Sequence, residues 1–483
     1  MLLRALPRSR PDRPIVTSRV PRFALTLLAT AAITLGAVAL PASAALAPWT
    51  PPADVTGPVG AYLPELAVAP DGTVTAVWGQ YDDVTENDII FSSRFSGGAW
   101  SAPVAVSRPA TDSYGATVAA RTDGSAVAMW EHQTGFGTAA LEYSIYSGGT
   151  WSAPVEFTDP ANYAQGIDLA VLPNGSVTAV WSLDTGFAGS VQTSTLTGSV
   201  WSPVITIATS GAVYDPQVVV ANDGSLVVAW SQGFFPDGSI YASTFTGSIW
   251  SAPVSIMSTP GTDLYLPELA AASDGTVTAV WNQQVPGQAV YSSTLSGGAW
   301  SAPTTLSIDA TGAQIAASGG SRAAIWQVPN GPIQASTGNG ATWSSPITLS
   351  TLTEYADNPQ IIATATGFLA IWEETVSGTN GVIVVSEFAD DAWSTARLLS
   401  DVAVVSVNPQ LARDSAGIVT AIWGTDDDLA ARIQFARSAA AAAAVSAPAL
   451  AATGMDSTPL VALALLLLAA GVLTLRRRAT PAR

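Results

Sequence analysis

The chain has 483 residues, 48% of them hydrophobic, with no cysteine, one histidine and a formal net charge of −18. Disulfides, thiolate metal sites and sites built from several histidines are therefore excluded. The excess of acidic residues argues against nucleic acid and anionic lipid surfaces as partners, because both would be repelled.

The first 44 residues predict an export signal. Six arginines precede an apolar run at 23–40, and the small residues Ala-Ser-Ala follow at 42–44. This order of basic, apolar and small-residue segments is typical of a secretory signal peptide. We expect residues 1–44 to be removed on export and the rest of the chain to work outside the cell.

Sixteen tryptophans mark an internal repeat. One set closes segments of the form Val-x-Ala-Val-Trp, and a second opens segments of the form Trp-Ser-x-Pro. Spacings of 45 to 52 residues within the first set are typical of four-stranded propeller blades. The first set is Trp78, Trp130, Trp181, Trp230, Trp281, Trp326, Trp372 and Trp423, and the second is Trp100, Trp151, Trp201, Trp250, Trp300, Trp343 and Trp393.

Each period divides into four predicted strands. In the first period they cover residues 64–69, 73–78, 89–95 and 100–107. The dipeptide Asp-Gly at 71–72 and the Gly-Gly pair at 97–98 separate strands, and both tolerate the positive φ of tight hairpin turns.

The eighth period lacks a Trp-Ser-x-Pro segment, and the missing strand is found at the other end of the chain. Trp49-Thr-Pro-Pro follows the signal peptide at once and has no earlier segment to pair with. A ring whose last blade takes its outer strand from the N-terminus leaves no free sheet edge. We therefore predict an all-β fold over residues 45–437: an eight-bladed β-propeller of four-stranded repeats, each about 50 residues long.

The Gly-Gly-x-Trp hairpins resemble the Asp boxes of sialidase-like BNR-repeat propellers, although the defining aspartate is missing at 96–100 and 296–300. A sialidase would require three arginines that converge on the substrate carboxylate, together with a tyrosine nucleophile. Of the eight arginines in the body only Arg108 falls in a loop between blades. Sialidase activity is therefore disfavoured.

A series of tyrosines falls where each blade leads into the next, and Glu65 and Glu268 follow two of them. Tyrosines with nearby carboxylates and carboxamides suit carbohydrate, because sugar C–H faces stack on aromatic rings while hydroxyls take hydrogen bonds. The alternative is that each ring packs its loop against the neighbouring blade. The candidate ligand-binding tyrosines are Tyr62, Tyr114, Tyr163, Tyr214, Tyr265 and Tyr355.

Two acidic loops suggest a cation site. If the ring closes, the middle loops of blades one and eight are neighbours, and oxygen ligands from both could hold Ca²⁺. The alternative is two solvated acidic loops and no cofactor. The carboxylates are Asp82, Asp83, Glu86 and Asp88 in the first loop and Asp426, Asp427 and Asp428 in the second. The single histidine, His132, is expected to be an exposed loop residue.

The C-terminal segment predicts attachment to the cell surface. An alanine-rich stretch at 438–449 suggests a short stalk, followed by an apolar run at 460–475 and three arginines at 476–478. Between stalk and apolar run lies Leu-Ala-Ala-Thr-Gly at 450–454. This arrangement, over residues 450–483, resembles the LAXTG-type sortase sorting signal of high-GC Gram-positive bacteria.

That resemblance implies a sortase and cell-wall peptidoglycan as partners, with cleavage after Thr453 in a motif formed by Leu450, Ala451, Thr453 and Gly454. The alternative is a retained single-pass anchor, since 16 residues would span roughly 24 Å of a bilayer. In either case the body faces outward, because the arginines stay inside, and the membrane is met only through this segment.

From these observations we favour a surface-anchored module that binds extracellular carbohydrate or protein through loops on one face of the propeller. One alternative is a glycoside hydrolase or lyase that uses paired carboxylates such as Glu65 and Glu268. Another is a structural surface protein without a specific ligand. An enzyme would show carboxylates with perturbed pKa in one axial pocket, whereas a binding module would show exposed tyrosines.

Overall fold

The computed structural model describes residues 48–185, 188–340, 342–350, 355–375, 381–425 and 431–439. Within these ranges every helix or strand element is a β-strand, and the strand pairs are antiparallel except for one parallel pair, in which Tyr163 lies opposite Ala139. The predicted signal peptide, stalk and sorting signal lie outside the described residues. No helix in the described part is long and apolar enough to cross a membrane, so a transmembrane assignment finds no support there.

The strands follow one another in eight repeats, which we call units 1 to 8. β1 (Ala53–Asp54) comes first. Unit 1 contains β2 (Ala61–Val68), β3 (Val74–Asp82), β4 (Asn87–Ser96), β5 (Ala99–Trp100) and β6 (Val104–Ala105); unit 2 contains β7 (Ser113–Ala120), β8 (Ala126–Gly135), β9 (Thr138–Ser147), β10 (Thr150–Trp151) and β11 (Val155–Glu156); unit 3 contains β12 (Tyr163–Val171), β13 (Val177–Asp184), β14 (Gly189–Thr197), β15 (Val200–Trp201) and β16 (Ile205–Ser210); unit 4 contains β17 (Val213–Val220), β18 (Leu226–Gln232), β19 (Ser239–Phe245) and β20 (Val254–Met257).

The second half repeats the same order. Unit 5 contains β21 (Leu264–Ala271), β22 (Val277–Gln283), β23 (Ala289–Ser296), β24 (Ala299–Trp300) and β25 (Thr304–Ile308); unit 6 contains β26 (Thr311–Ser318), β27 (Ser321–Gln327), β28 (Ile333–Asn339), β29 (Thr342–Trp343) and β30 (Ile347–Thr348); unit 7 contains β31 (Tyr355–Ala363), β32 (Phe368–Thr375), β33 (Gly381–Ala389), β34 (Ala392–Trp393) and β35 (Arg397–Leu398); unit 8 contains β36 (Ser406–Arg413), β37 (Val419–Thr425) and β38 (Ile433–Arg437).

In most units the predicted outer strand is split in two. In unit 1, β5 and β6 both pair with β4, and Pro103 lies between them. Proline has no N–H to donate, so it interrupts a ladder and is tolerated at a sheet edge. The result is a short outer edge that offers little template for another strand.

The N-terminal segment pairs with unit 8. The strand order there is β1-β38-β37-β36, with Ala53 opposite Phe435 and Trp49 opposite Ser438. The hydroxyl of Thr50 accepts a hydrogen bond from Arg437 N at 3.0 Å. The outer position of unit 8 is therefore filled by the segment that the sequence suggested for it.

The serine of each Trp-Ser motif joins the outer strand to its neighbour. In unit 1, Ser101 Oγ accepts a hydrogen bond from Arg94 N at 3.1 Å and lies 3.3 Å from Ser93 Oγ. The same arrangement recurs in units 2 to 7. This explains why a small hydroxyl residue follows the tryptophan.

The first tryptophan set forms the core. All eight indoles are fully buried, and each packs with apolar residues of the preceding unit. Trp78 shares a cluster with Ile422 and Ile433 of unit 8, and Trp130 shares one with Val77 and Ile90 of unit 1. The prediction that these tryptophans fill the spaces between units is confirmed.

The first strand of every unit carries a bulge that the sequence pattern did not predict. One residue of each bulge lies in the left-handed region, with φ between 46° and 63°. Six are residues that tolerate this region, whereas two are leucines, which do so at a cost. The eight residues, from unit 1 to unit 8, are Leu63, Gly115, Gly166, Asp215, Leu266, Gly312, Asn358 and Asn408.

Candidate functional site

Four of the six predicted tyrosines occupy the same place in their units. Tyr62, Tyr114, Tyr214 and Tyr265 each lie in the first strand of their unit, directly before the left-handed residue. Tyr163 and Tyr355 begin β12 and β31 and lie two residues further from the bulge. They therefore do not belong to the same ring of positions.

Two of the equivalent tyrosines have protein partners that hold the ring. Tyr62 donates its hydroxyl to Asp88 Oδ1 at 2.6 Å, and Tyr265 Oη lies 3.1 Å from Thr311 Oγ1 of unit 6. Tyr114 is 38% exposed, and burial together with nearby carboxylates raises its pKa to about 12. The packing alternative therefore applies to Tyr62 and Tyr265, whereas Tyr114 and Tyr214 are more open to solvent.

Beyond each bulge, one side chain per unit occupies an equivalent position, opposite the residue that precedes the buried tryptophan. Neighbouring members are hydrogen-bonded across units: Gln410 Nε2 donates to Glu65 Oε1 at 3.0 Å, and Gln314 Nε2 donates to Glu268 Oε1 at 3.3 Å. We call these eight residues the post-bulge set. Its members are Glu65, Thr117, Asp168, Gln217, Glu268, Gln314, Gln360 and Gln410.

The carboxyl groups of the post-bulge set have raised pKa values. Burial and the charge of Asp168 raise the pKa of Glu65 to about 8. The pKa of Glu268 rises to about 8 for the same reasons, with smaller contributions from Asp215 and Glu65. Burial also raises the pKa of Asp168, whose oxygens accept hydrogen bonds from Val218 N and its own neighbouring amide. Perturbed carboxyl groups are therefore present, as the enzyme alternative requires.

An aromatic groove lies between units 4 and 5. Its volume is about 480 Å³, within the range of small-ligand sites. Phe234 and Phe235 are 64% and 68% exposed, and Tyr214 is 39% exposed. The groove is lined by Tyr214, Asp215, Phe234, Phe235, Asp263 and Tyr265, among others.

Both acids of this groove have a raised pKa because they are desolvated. Asp215 Oδ2 accepts a 3.4 Å hydrogen bond from Ser231, and the residue itself holds the left-handed position of its bulge. Phe234 and Phe235 were missed by the sequence analysis. The sequence did contain a signal: two consecutive phenylalanines directly precede Pro-Asp-Gly in a hairpin loop. Apolar residues in such a loop are not explained by burial in the core.

A larger cavity of about 1080 Å³ lies between units 1 and 2, away from the bulges. The Arg94 guanidinium lies 3.8 Å from the centre of the Tyr146 ring and donates to Gly124 O. The side chains of Trp100 and Trp151 in its lining are partly buried and pack against the hydrophobic core. Because its cation is already paired with protein groups, we do not place the ligand site there.

Two of the carboxylates predicted to bind calcium accept hydrogen bonds from other groups of the protein. Asp82 accepts hydrogen bonds from Val84 N and Thr85 Oγ1, and Asp88 accepts from Tyr62. The described residues contain no group of three or more potential metal-binding side chains. Asp426, Asp427 and Asp428 lie outside the described residues, so the two-loop site stays a prediction.

The expectation for His132 is wrong. The residue is 5% exposed and lies within β8, where its Nδ1 is 3.0 Å from Thr111 Oγ1 and 4.0 Å from Glu142 Oε2. Glu142 is fully buried and pairs with Arg108 at 3.1 Å. Thr111 and Arg108 belong to the loop before unit 2, which covers the histidine. Their contacts provide partners for the buried side chains of His132 and Glu142.

The arginines do not form a carboxylate-binding triad among the described residues. Arg108 pairs with Glu142, Arg397 with Glu387, and Arg432 with Asp54. Four others contact turn carbonyls, threonine hydroxyls, an acid or aromatic rings: Arg94, Arg121, Arg322 and Arg437. The aromatic groove has no arginine in its lining.

No family model and no curated protein matches the chain. Solved structures show distant likeness. An ulvan lyase is 10% identical over 72% of this chain and 97% of its own, with a TM-score of 0.48. A Hadza microbial sialidase is 16% identical over 63% and 74%, with a TM-score of 0.38. A puromycin-hydrolyzing peptidase from Mycobacterium tuberculosis is 14% identical over 79% and 62%, with a TM-score of 0.47. Such weak likenesses to proteins of different activities do not indicate a function for this chain.

Proposed function

We propose that this protein is a carbohydrate-binding module and that the aromatic groove between units 4 and 5 is its ligand site. The observation that carries the proposal is the exposure of Phe234 and Phe235 beside Tyr214 in a cavity of about 480 Å³. Exposed aromatic rings that are grouped in a cavity mark a binding surface, whereas scattered ones need no explanation.

The chemistry of the groove suits a sugar. Aromatic faces accept the apolar C–H faces of a pyranose ring, and the carboxyl oxygens of Asp215 and Asp263 can accept hydrogen bonds from hydroxyls. The groove thus combines an apolar platform with a few directed polar groups, which is the usual composition of a small-ligand site.

Charge favours an uncharged glycan. Between residues 45 and 453 eight arginines stand against 34 acids, the chain's 36 less Asp12 and Asp456, a net charge of −26. Two acids and no arginine line the groove. An anionic polysaccharide would therefore meet like charge both at a distance and on contact.

Calorimetric titration with cellohexaose and with hexagalacturonate tests this proposal. We expect saturable binding of the neutral oligosaccharide, weakened roughly fivefold by Phe235→Ala, because a stacked ring contributes on the order of 1 kcal/mol. Phe136→Ala is the matched control, since Phe136 is fully exposed on a hairpin of unit 2 outside the groove. Equal losses in both variants, or binding of the anionic oligosaccharide alone, would contradict the proposal.

We also propose that the eight units form one closed eight-bladed propeller. Support comes from the pairing of β1 with β38, from contacts between β2 and β36, and from the bond between Gln410 and Glu65. Small-angle scattering of the purified protein tests this, since an open array of units would be more extended than a ring.

Attachment to the cell wall by a sortase, after export, remains our proposal for location. It rests on the order of motif, apolar run and arginines over residues 450–483. Mass spectrometry of wall-released protein tests it: a C-terminal peptide ending at Thr453 and linked to a peptidoglycan amine is expected. A peptide that continues through 460–475 would indicate a retained anchor instead.

A hydrolase or lyase is the second candidate, because Glu65 and Glu268 both have a pKa near 8. The cavity that reaches Glu65 measures only about 90 Å³, however, which is below the roughly 300 Å³ of a small-ligand site. For a hydrolase, reducing-end release from neutral polysaccharides, lost in Glu268→Gln, would favour this candidate over binding alone. For a lyase, the equivalent result is release of unsaturated products from a uronate-containing polysaccharide.

A further inference from the structure

Two adjoining cavities lie where units 1, 7 and 8 meet. The larger has a volume of about 430 Å³ and includes Tyr62 in its lining. The smaller measures about 90 Å³ and includes Leu63. Asn358 and Asn408 line both cavities, so the small one opens beside the large one.

The larger cavity offers a fixed aromatic surface. The Tyr62 hydroxyl is bonded to Asp88, and the ring lies so close to Gly79 that a Cβ there would come within 2.5 Å of it. The ring is therefore held in place before any ligand arrives. A volume of about 430 Å³ is in the range of sites that take one or two sugar rings.

The smaller cavity has room for about three water molecules, at about 30 Å³ each, or a group of about four non-hydrogen atoms. Its lining is partly apolar and partly carboxamide or carboxyl. The apolar part is Leu63, Pro64 and Pro409, and the polar part is Glu65, Gln360, Gln410 and the two shared asparagines. Such a lining matches a small group that has both a methyl and an amide.

Leu63, which lines the smaller cavity, has a strained left-handed backbone conformation. It is one of two leucines among the eight left-handed residues, and it is 56% exposed, so burial does not repay the strain. Units 7 and 8 use asparagine at the same position, also followed by proline. Asparagine tolerates the conformation, so a leucine facing a cavity suggests contact with a ligand.

We propose that these cavities form a second carbohydrate site, specific for an N-acetylated sugar. The sugar ring lies in the larger cavity against Tyr62, and its acetamido group enters the smaller one. There the methyl contacts Leu63, while the amide exchanges hydrogen bonds with carboxamides such as those of Asn408 and Gln360. This site is separate from the aromatic groove and takes a different ligand class.

Calorimetry with N-acetylchitotetraose and cellotetraose tests the proposal in the Phe235→Ala protein, whose aromatic groove is impaired. We expect N-acetylchitotetraose to bind at least tenfold more tightly than cellotetraose. Leu63→Asn should reduce this preference roughly 3- to 10-fold, because a buried methyl contact is lost. Leu266→Asn is the matched control: it changes the equivalent leucine, which does not line either cavity.

Thermal unfolding checks that the variants are folded, and both leucine variants should unfold at or above the wild-type temperature. A lower unfolding temperature for Leu63→Asn would show that the leucine serves stability and would overturn the inference. Equal affinity for the two oligosaccharides would also overturn it, as would a preference unchanged by Leu63→Asn. If cellotetraose binds the wild type without preference for the acetylated sugar, this inference fails alone; if neither binds, both proposals fail.

Discussion

Replacing Glu268 by glutamine should stabilise the protein, and the gain should grow with pH. Glutamine has the same shape, and its carbonyl can still accept the hydrogen bond from Gln314. The substitution removes only the ability to ionise, which the folded protein opposes by burial and by neighbouring negative charge.

The sign follows from proton linkage. The folded-state pKa of Glu268 is about 8 against an ordinary value of 4.5, so between these pH values the folded state holds a proton that the unfolded chain has released. Stability conferred on the wild type below pH 4.5 is therefore lost progressively as pH rises to about 8. A full shift corresponds to about 5 kcal/mol. Because the side chain keeps some contact with solvent, we expect about half of this.

Urea unfolding at intervals from pH 5 to 9 measures the effect. The difference in unfolding free energy between Glu268→Gln and the wild type should be small at pH 5 and reach about 2 to 3 kcal/mol near pH 8. Glu65→Gln should show the same increase in unfolding free energy with pH. Asp223→Asn is the control: hydrogen bonds from Ser225 lower the pKa of Asp223 below its ordinary value of 3.8, so its contribution is lost only at lower pH, and the effect of this substitution should not change between pH 5 and 9. A difference that does not vary with pH would refute the reasoning.

Three further changes test the packing of the described units, each by urea unfolding. Gly79→Ala should cost about 1 to 3 kcal/mol, since the new Cβ would lie 2.5 Å from the Tyr62 ring; no loss would mean that the ring moves freely. Arg108→Ala should cost about 2 kcal/mol by leaving buried Glu142 without its ion pair, and Arg108→Lys should recover part of it. Ser101→Ala should cost about 1 to 2 kcal/mol through lost strand-bridging hydrogen bonds.

The repeat was predictable because its physical requirements are local. A buried indole at the end of an apolar strand, a turn dipeptide and an outer Trp-Ser segment each leave a pattern in the sequence. The pairing of the N-terminal segment around Trp49 with unit 8 was predictable as well. The eighth period lacked its outer strand, and the Trp49 segment resembled such a strand but belonged to no period.

The bulges were not predictable in the same way. Glycine or asparagine can adopt a left-handed conformation, but Leu63 and Leu266 gave no sign of it. In units 1 and 5 the bulge shifts the strand register between the tyrosine and the glutamate three residues later, which a regular alternation does not anticipate. The site prediction therefore grouped Tyr62 with Glu65 at one mouth, although Tyr62 and Glu65 line different cavities.

The remaining differences between the predictions and the structure arise from tertiary contacts. His132 follows a strand-ending tryptophan and looked like a loop residue, but β8 continues to Gly135 and a loop covers it. The aromatic groove forms only when units 4 and 5 lie side by side, so no single segment shows it. Charge, by contrast, is a property of composition, and it predicted the acidic body directly.

The most direct measurement is a crystal structure of the protein soaked with cellohexaose. We predict sugar rings in the groove between units 4 and 5, with C–H faces on Phe235 and Tyr214 and hydroxyls on Asp263. Sugar bound elsewhere on the surface, or an empty groove at a concentration that saturates binding in solution, would contradict it.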